Sequence, residues 1–451
     1  MKPAGGLAYT VALMSDPAAN IRSRFFVMFA LVLAGEMIFS LPFHVPRYFR
    51  PTVLETFEFT NANLGDVFAV YGITAMLAYF PGGAIADRFS ARKLMTVSLV
   101  ATAAGGFYMT TLPGITAMSL LYGYWGVTTI LLFWAAMIRA TRQWGGAFAQ
   151  GRAFGILDGG RGLVAAMFAT AAVWCLSQFL PDAASELNDA DRREALRAVI
   201  GFYSIATAGA AALVWWCVPD SSGKADIARI RGLSDLREVL ALRVVWLQAA
   251  IVICAYCGYK GLDNYSLYAF EILDMSEAEA AGFTATSAYI RPVAAVLAGF
   301  LADRIGVSRL ILGLFAVLAG SYSALGMLLP AGQLLAVVYA NLFVTFCGVF
   351  ALRGVYFALL EETRVPDHLT GAAVGLISLV GYTPDIFFAA IAGRLLDATP
   401  GIGGHQHYFI LLAGIAIIGL VTAIFLARRT GVAGVLEEAR SIHSQTPGGK
   451  Q

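Results

Sequence analysis

Apolar residues run along almost the whole chain in blocks of about 20, each closed by a short polar turn. A block of that length is what an α-helix needs to cross the roughly 30 Å of membrane hydrocarbon. Twelve such windows lie at about 25–45, 64–86, 94–112, 116–138, 154–178 and 197–217, then 244–271, 280–302, 309–329, 334–358, 371–396 and 407–427. They are numbered here as spans 1 to 12. The pattern predicts an all-α integral membrane protein with 12 transmembrane helices in two pseudo-symmetric six-helix bundles, 25–217 and 244–428. A linker at 218–243 joins them, and tails at 1–24 and 429–451 flank them.

The two halves read as copies of one unit. Gly83-Ala-Ile-Ala-Asp87-Arg88-Phe-Ser-Ala-Arg92-Lys93-Leu94 closes span 2, and Gly299-Phe-Leu-Ala-Asp303-Arg304-Ile-Gly306-Val-Ser-Arg309-Leu310 closes span 8. A second echo opens spans 5 and 11, as Gly151-Arg-Ala-Phe-Gly155 and Gly371-Ala-Ala-Val-Gly375. Glycines four apart, with Gly159, Gly160, Gly162, Gly381 and Gly393 beyond them, predict close helix crossings, as does Gly83. Internal repeats build many secondary transporters, with substrate held between the halves. In the linker, Ile227, Ile230, Leu233 and Leu236 recur among Lys224, Arg229, Arg231, Asp235 and Arg237, a pattern that suits a short surface helix.

Composition supports the membrane reading. Hydrophobic residues make up 59% and charged ones 13%, too little polar surface for a soluble particle of this length. The net charge of +2 says nothing about partners, and no nucleic-acid partner is expected. Lys and Arg gather in the loops of one face if both termini are cytoplasmic, the arrangement of a multi-pass protein of the inner (cytoplasmic) membrane. Residues 1–19 do not read as a cleavable signal peptide. Cys175, Cys217, Cys254, Cys257 and Cys347 all lie in apolar runs, which argues against disulfides, and Cys254-x-x-Cys257 matches a redox spacing only by coincidence. His44, His368, His405, His407 and His443 show no ligand spacing, so neither a metal, a cofactor nor an enzyme is expected.

In the loop after span 2, Gly83, Asp87, Arg88, Arg92 and Lys93 match the signature Gly-x-x-x-Asp-Arg-x-Gly with following basic residues, while Ser90 and Ala91 depart from it. On these residues and the weaker copy at Gly299, Asp303, Arg304 and Gly306, the chain resembles the major facilitator superfamily across all twelve spans. The resemblance implies a secondary carrier that alternates between inward- and outward-open states, with spans 1, 4, 7 and 10 lining the path. It implies that Asp87 and its neighbours steady one of those states. Leu352-Arg353-Gly-Val-Tyr356, Gly381-Tyr382-Thr-Pro384-Asp385 and Gly393-Arg-Leu-Leu-Asp397 further resemble a little-characterised bacterial branch with relatives that are permeases for sugar-derived anions.

The remaining chemistry lies in charges that hydrophobicity alone does not explain. Such a side chain near the bilayer centre costs roughly 2.5 to 3.5 kcal/mol on insertion scales, so it faces a cavity or a partner. Seven stand out: Glu36, Asp158, Arg161, Lys260, Arg291, Arg353 and Asp385. Lys260, Arg291 and Arg353, with Tyr259, Asn264 and Tyr382, are the expected substrate-binding groups. Gly258 and Gly261 loosen the helix there. Lys260 can alternatively pair with Asp263 or Glu271, and Arg353 with Glu361 or Glu362. Arg291 before Pro292 and Asp385 after Pro384 predict charges at proline kinks, where the two can pair. Glu36 and Asp385 are the proton candidates, and Asp158 with Arg161 reads as a local ion pair or inner gate. Trp125, Trp134, Tyr268 and Tyr382 fall near the expected path, and His44 occupies the repeat position of Lys260.

Four buried bases against three acids favour a small organic anion, moved by a monomeric carrier with protons as the coupling ion and the lipid bilayer as solvent. A drug or cation efflux antiporter and a non-transporting sensor are the alternatives.

Overall fold

A computed structural model describes residues 17–146, 150–180, 188–220, 232–327, 334–363, 365–366 and 369–444. The N-terminal tail before residue 17, linker residues 221–231 and the last seven residues lie outside that description, as does His368. Among the described residues there is no strand. Hydrocarbon offers no partner for a backbone amide, so long apolar segments must close their hydrogen bonds within themselves, and the helix does so.

Among the described residues, helices occupy every predicted window. Among the described residues, ten are long and apolar enough to cross a membrane: Asn61–Arg88, Ile115–Gly145, Gln150–Ser177, Asp189–Cys217, Arg243–Ile272, Glu277–Ile305, Val307–Met327, Leu334–Ala358, Thr370–Ala398 and Ile402–Arg429. Span 1 makes an eleventh if its pieces Ser23–Met37 and Ser40–Tyr48, bent by 41°, count as one. The window of span 3 is the helix Ala91–Met109, which carries Arg92 and Lys93 in its first turn and is not among the helices apolar enough to cross. Among the described residues the twelve expected crossings therefore meet ten or eleven helices of that length and composition.

Helix ends are fixed by side chains that take up orphan backbone groups. Asn188 accepts from the Asp191 amide at 3.0 Å to start span 6. Ser276 and Glu279 form a capping box at the start of span 8. Glu362 accepts from the Val307 amide at 2.6 Å and the Ser308 amide at 3.0 Å, and so caps span 9. Between spans 8 and 9 the chain turns at Gly306, whose φ of +90° suits glycine.

By contact the chain forms two compact units. The first comprises Met1–Phe59, Val70–Ala225 and Ser276–Tyr289. Its core gathers Met28, Leu31, Met37, Met95, Leu99, Phe133, Met137, Leu157 and Val214 from spans 1, 3, 4, 5 and 6. The second comprises Thr60–Ala69, Asp226–Met275 and Ile290–Gln451. Here a Cβ on Gly419 of span 12 would come within 2.4 Å of the Phe315 ring, so spans 9 and 12 cross closely. The outward faces carry Leu77, Phe80, Leu120, Trp216, Leu297 and Phe300, all exposed, as a helix solvated by lipid does.

The expected path-lining spans are those with irregular turns. Span 1 contains a π turn at Ser40–His44 and span 4 one at Thr128–Trp134, while span 7 contains a 3-10 turn at Leu262–Asn264 and span 10 one at Tyr356–Ala358. Spans 8 and 11 also break, before Ile290 and before Pro384, next to the two charged proline sites.

Candidate functional site

In the second unit the centre is Lys260. Span 7 runs as an α-helix to Gly261, tightens through Leu262–Asn264 and resumes at Tyr265. Beside that break Lys260 is 3% exposed, and its Nζ lies 3.1 Å from Asp263 Oδ2 and 3.5 Å from Asp385 Oδ1. Asp385 comes from span 11, in the first turn of the piece that Pro384 opens, where the helix dipole favours a carboxylate. The Tyr256 hydroxyl donates to Asp385, 3.1 Å from either oxygen. Aromatic rings enclose the group: Tyr382 meets Tyr256 edge-on at 4.9 Å, and Phe68 lies 4.9 Å from the Lys260 ammonium. The Arg353 guanidinium stacks on Tyr259 at 4.0 Å. A buried amine needs compensating charge, and two carboxylates supply it twice over.

In the first unit the centre is Glu36. Its Oε2 accepts from Arg161 Nε at 3.0 Å, and its Oε1 lies 3.2 Å from His44 Nε2. All three side chains are buried. Gly35 leaves room for the arrangement, since a Cβ there would come within 2.9 Å of Met137 Sδ and 3.1 Å of Arg161 Cδ. The Arg161 guanidinium also lies 5.7 Å from the Phe39 ring and 5.9 Å from Trp134. His44 meets the edges of Tyr48 and Tyr203 at 5.6 and 6.0 Å.

Several expected partnerships resolve differently. Arg161 is buried and reaches across to Glu36, whereas Asp158, one turn away, is exposed, so the pairing made by Arg161 is between helices rather than local. Asp385 meets Lys260 and Tyr256 where Arg291 was expected; Arg291 itself is buried in the first turn of Ile290–Ile305. Of the alternatives for Lys260, Asp263 is the partner, and Glu271 instead meets His405 at 2.9 Å. Glu362 caps span 9 while Arg353 lies on Tyr259. Asn264 is buried with its amide donating to Tyr408 of span 12 at 3.2 Å, a tie between helices. Trp125 donates to the Thr102 carbonyl at 3.1 Å and Tyr268 packs on His405, both as buried core.

The loop signature behaves as a surface element. Asp87, Arg88, Asp303 and Arg304 are exposed. Arg92 pairs with Asp220 at 2.7 Å and stacks on Trp215 at 4.8 Å, tying the loop to the end of span 6. The close crossing expected at Gly83 is absent: a Cβ there would meet nothing within 4 Å, and the same holds at Gly151, Gly155, Gly159, Gly299, Gly371 and Gly375. Tight approach occurs instead at Gly160 against Val32, Gly381 against Val252, and Gly393 against the Asn61 carbonyl.

Sequence reasoning missed several partners. Arg139 of span 4 donates to the Ala86 and Phe89 carbonyls and so closes the end of span 2 beside Asp87. Asp397 caps the start of the same helix, accepting from the Asn61 amide at 3.1 Å and the Ala62 amide at 2.7 Å. Arg394 and Asp66 form a two-pronged pair at 2.8 and 3.1 Å. The signal available was the Gly-x-x-x-Asp spacing of Gly393 and Asp397, which repeats that of Gly83 and Asp87.

The Major Facilitator Superfamily model matches residues 25–389, and the chain belongs to that superfamily, as a multi-pass membrane transporter of small solutes. It is 27% identical over 410 residues to the inner membrane protein YihN of Escherichia coli K12, covering 88% of this chain and 94% of that one. Its fold matches the crystal structure of a bacterial homologue of the human lysosomal transporter Spinster with a TM-score of 0.71 and 15% identity, over 90% of this chain and 97% of the other. The D-xylose–proton symporter matches with a TM-score of 0.69 and 15% identity, over 89% and 97%.

Proposed function

We propose that this chain carries a small organic anion (a carboxylate, sugar acid, sulfonate or organophosphate) across the inner membrane together with protons, by alternating access. The observation that carries the reading is the buried ammonium of Lys260 between two carboxylates. With Asp263 and Asp385 both ionised, the three groups sum to one negative charge, and an incoming anion meets repulsion. Protonation of Asp385 removes that charge and leaves Lys260 with a single partner. An anionic substrate then takes the place beside the ammonium, with Arg353 on Tyr259 as a second cation close by. Anion and proton therefore bind together, which is the condition for symport. Tyr256 holds Asp385 in place, and the Tyr259 and Tyr382 rings offer faces to a sugar-like body. Arg291 lies in the same unit as a further buried base.

The loop residues Gly83, Asp87, Arg88, Arg92, Asp303 and Arg304 act in this reading as the element that steadies one state, and Arg161 belongs with the proton-binding group around Glu36. Inner-membrane placement accords with the similarity to YihN, and the excess of basic residues in one set of loops supports a cytoplasmic position for both tails.

The test is thermal unfolding of the detergent-purified protein against sugar acids, sulfonates, organophosphates and apolar cations at two pH values. A ligand at a hundred times its dissociation constant adds roughly 2.7 kcal/mol of stability. Stabilisation by an anion, stronger at the lower pH and lost in Lys260→Ala, supports the reading, and uptake into proteoliposomes with a proton gradient follows. A second reading, cation efflux, draws on the net negative charge of the same three groups. Stabilisation by apolar cations alone, retained in Lys260→Ala, overturns the anion reading in its favour.

A further inference from the structure

The first unit holds a buried histidine that the transport reading above leaves without a task. His44 and Glu36 are eight positions apart. In a straight α-helix that separation is about 12 Å of rise, and the two side chains would not meet. They meet here because span 1 breaks after Met37, bends by 41° and passes through the π turn Ser40–His44. A π turn inside a helix weakens the regular hydrogen-bond ladder and recurs where a side chain has to be placed for a purpose. The bend delivers the ring of His44 to one oxygen of Glu36 while Arg161 from span 5 takes the other.

We propose that His44 binds a second coupling proton, held in the first unit by Glu36. Both oxygens of Glu36 face donors, a geometry that the ionised carboxylate satisfies and that a protonated one disrupts. The proton therefore goes to the neighbouring imidazole, the side chain whose ordinary titration lies between pH 5 and 8. In the neutral form Nε2–H donates to Glu36 and the group of Arg161, Glu36 and His44 carries no net charge. On taking up a proton that enters from the aqueous phase, the imidazole becomes an imidazolium that keeps that bond, and the group becomes +1.

The surroundings define what this charge meets. On its own span His44 has Glu36, Tyr48 and the buried Arg47 and Arg50. Span 5 brings Arg161 and span 6 brings Tyr203. The first turn of span 8, packed on Val45–Tyr48, brings Glu277, which is held by Arg192 at 2.8 Å and by the Thr52 hydroxyl. Glu36 is the carboxylate directly bonded to the imidazole, so it carries the compensation. The role in coupling rests on the proton-symport reading, giving one proton in each unit and two per anion; the proton site itself does not depend on that reading.

The test is a pH titration of the full-length protein, selectively labelled with ¹³C-histidine and observed by NMR in detergent micelles with no substrate present. The chain has five histidines, and the signal missing from His44→Gln identifies the one of interest. The expected result is a His44 signal that shifts between pH 5 and 8, with proton affinity at least about tenfold lower in Glu36→Gln, a factor equal to one pKa unit. Glu36→Asp, the milder variant if Glu36→Gln does not fold, moves it in the same direction. A His44 signal that does not titrate in wild type, or that titrates identically in the Glu36 variants, overturns the proposal. Proteoliposome uptake without proton coupling would sink the symport reading while leaving the titration intact, so the two failures are distinguishable.

Discussion

The two buried charge groups are inversions of one another. In the first unit an acid, Glu36, lies between two bases; in the second a base, Lys260, lies between two acids. Both stand beside an irregular turn in the first helix of their half, span 1 or span 7. The central charge decides what can be exchanged. A central base can trade one of its carboxylates for an anion from solution, while a central acid can only trade one cation for another, and the smallest cation is the proton. In the reading proposed above, a duplicated unit with the sign of its centre reversed supplies an anion site in one copy and a proton site in the other.

The strongest way to break the comparison is to remove a centre. Lys260→Met leaves Asp263 and Asp385 in low-dielectric surroundings without the charge that both of them face. Removing one partner of a buried ion pair costs about 3–5 kcal/mol, so the melting temperature in detergent falls steeply. Asp385→Asn in the same chain removes one of the two stranded charges and recovers much of the loss, because only Asp263 then needs a proton or a water shell. Uptake is abolished in both variants. Recovery of stability without recovery of uptake separates the structural cost of the charges from their use.

Glu36→Gln is the corresponding change in the first unit, and its effect is smaller. Two bases lose their acid, but His44 is left neutral simply by holding no extra proton, whereas the stranded carboxylates of the Lys260 variant become neutral only by taking protons up. The expected loss is about 3 kcal/mol, the lower end for a broken buried pair, and it shrinks as pH rises and His44 sheds its proton. Melting curves of wild type and variant at pH 5.5 and 8 test the sign. An equal loss at both values would mean that His44 carries no charge in this range.

The helices, the repeat and the identity of the centres were legible in the sequence because each rests on a local signal. Twenty apolar residues make a span wherever they occur, and a charge inside one demands an explanation by itself. The pairings were only half legible. Lys260 and Asp263 stand one turn apart, so spacing alone offered the contact, whereas Glu36 with Arg161 and Lys260 with Asp385 join helices far apart in the chain. His44 was legible only as the repeat position of Lys260, because helical periodicity does not place it over Glu36; the π turn that does so has no simple residue signature. The glycines failed for a related reason. Spacing shows that a thin face exists at Gly83 or Gly151, yet only packing shows whether a neighbouring helix uses it, as at Gly393.

The finest test of the comparison leaves every charge in place. Gly35→Ala adds one methyl group beside Glu36, and the atoms it meets, Met137 Sδ at 2.9 Å and Arg161 Cδ at 3.1 Å, belong to flexible side chains that can move. Overpacking relieved in this way costs about 1 kcal/mol, the low end for an added methyl in a packed core, so the melting temperature changes little. Arg161 is nonetheless displaced along its whole length, and its Nε loses alignment with Glu36. With the guanidinium withdrawn, Glu36 has one base left, and that base is His44, which then holds its proton more tightly. The NMR titration of His44 should move to higher pH in Gly35→Ala by a few tenths of a unit while stability stays near wild type. A fall in stability with no movement of the titration would show that Arg161 and His44 do not share Glu36, and the symmetry between the two units would be one of residue positions alone.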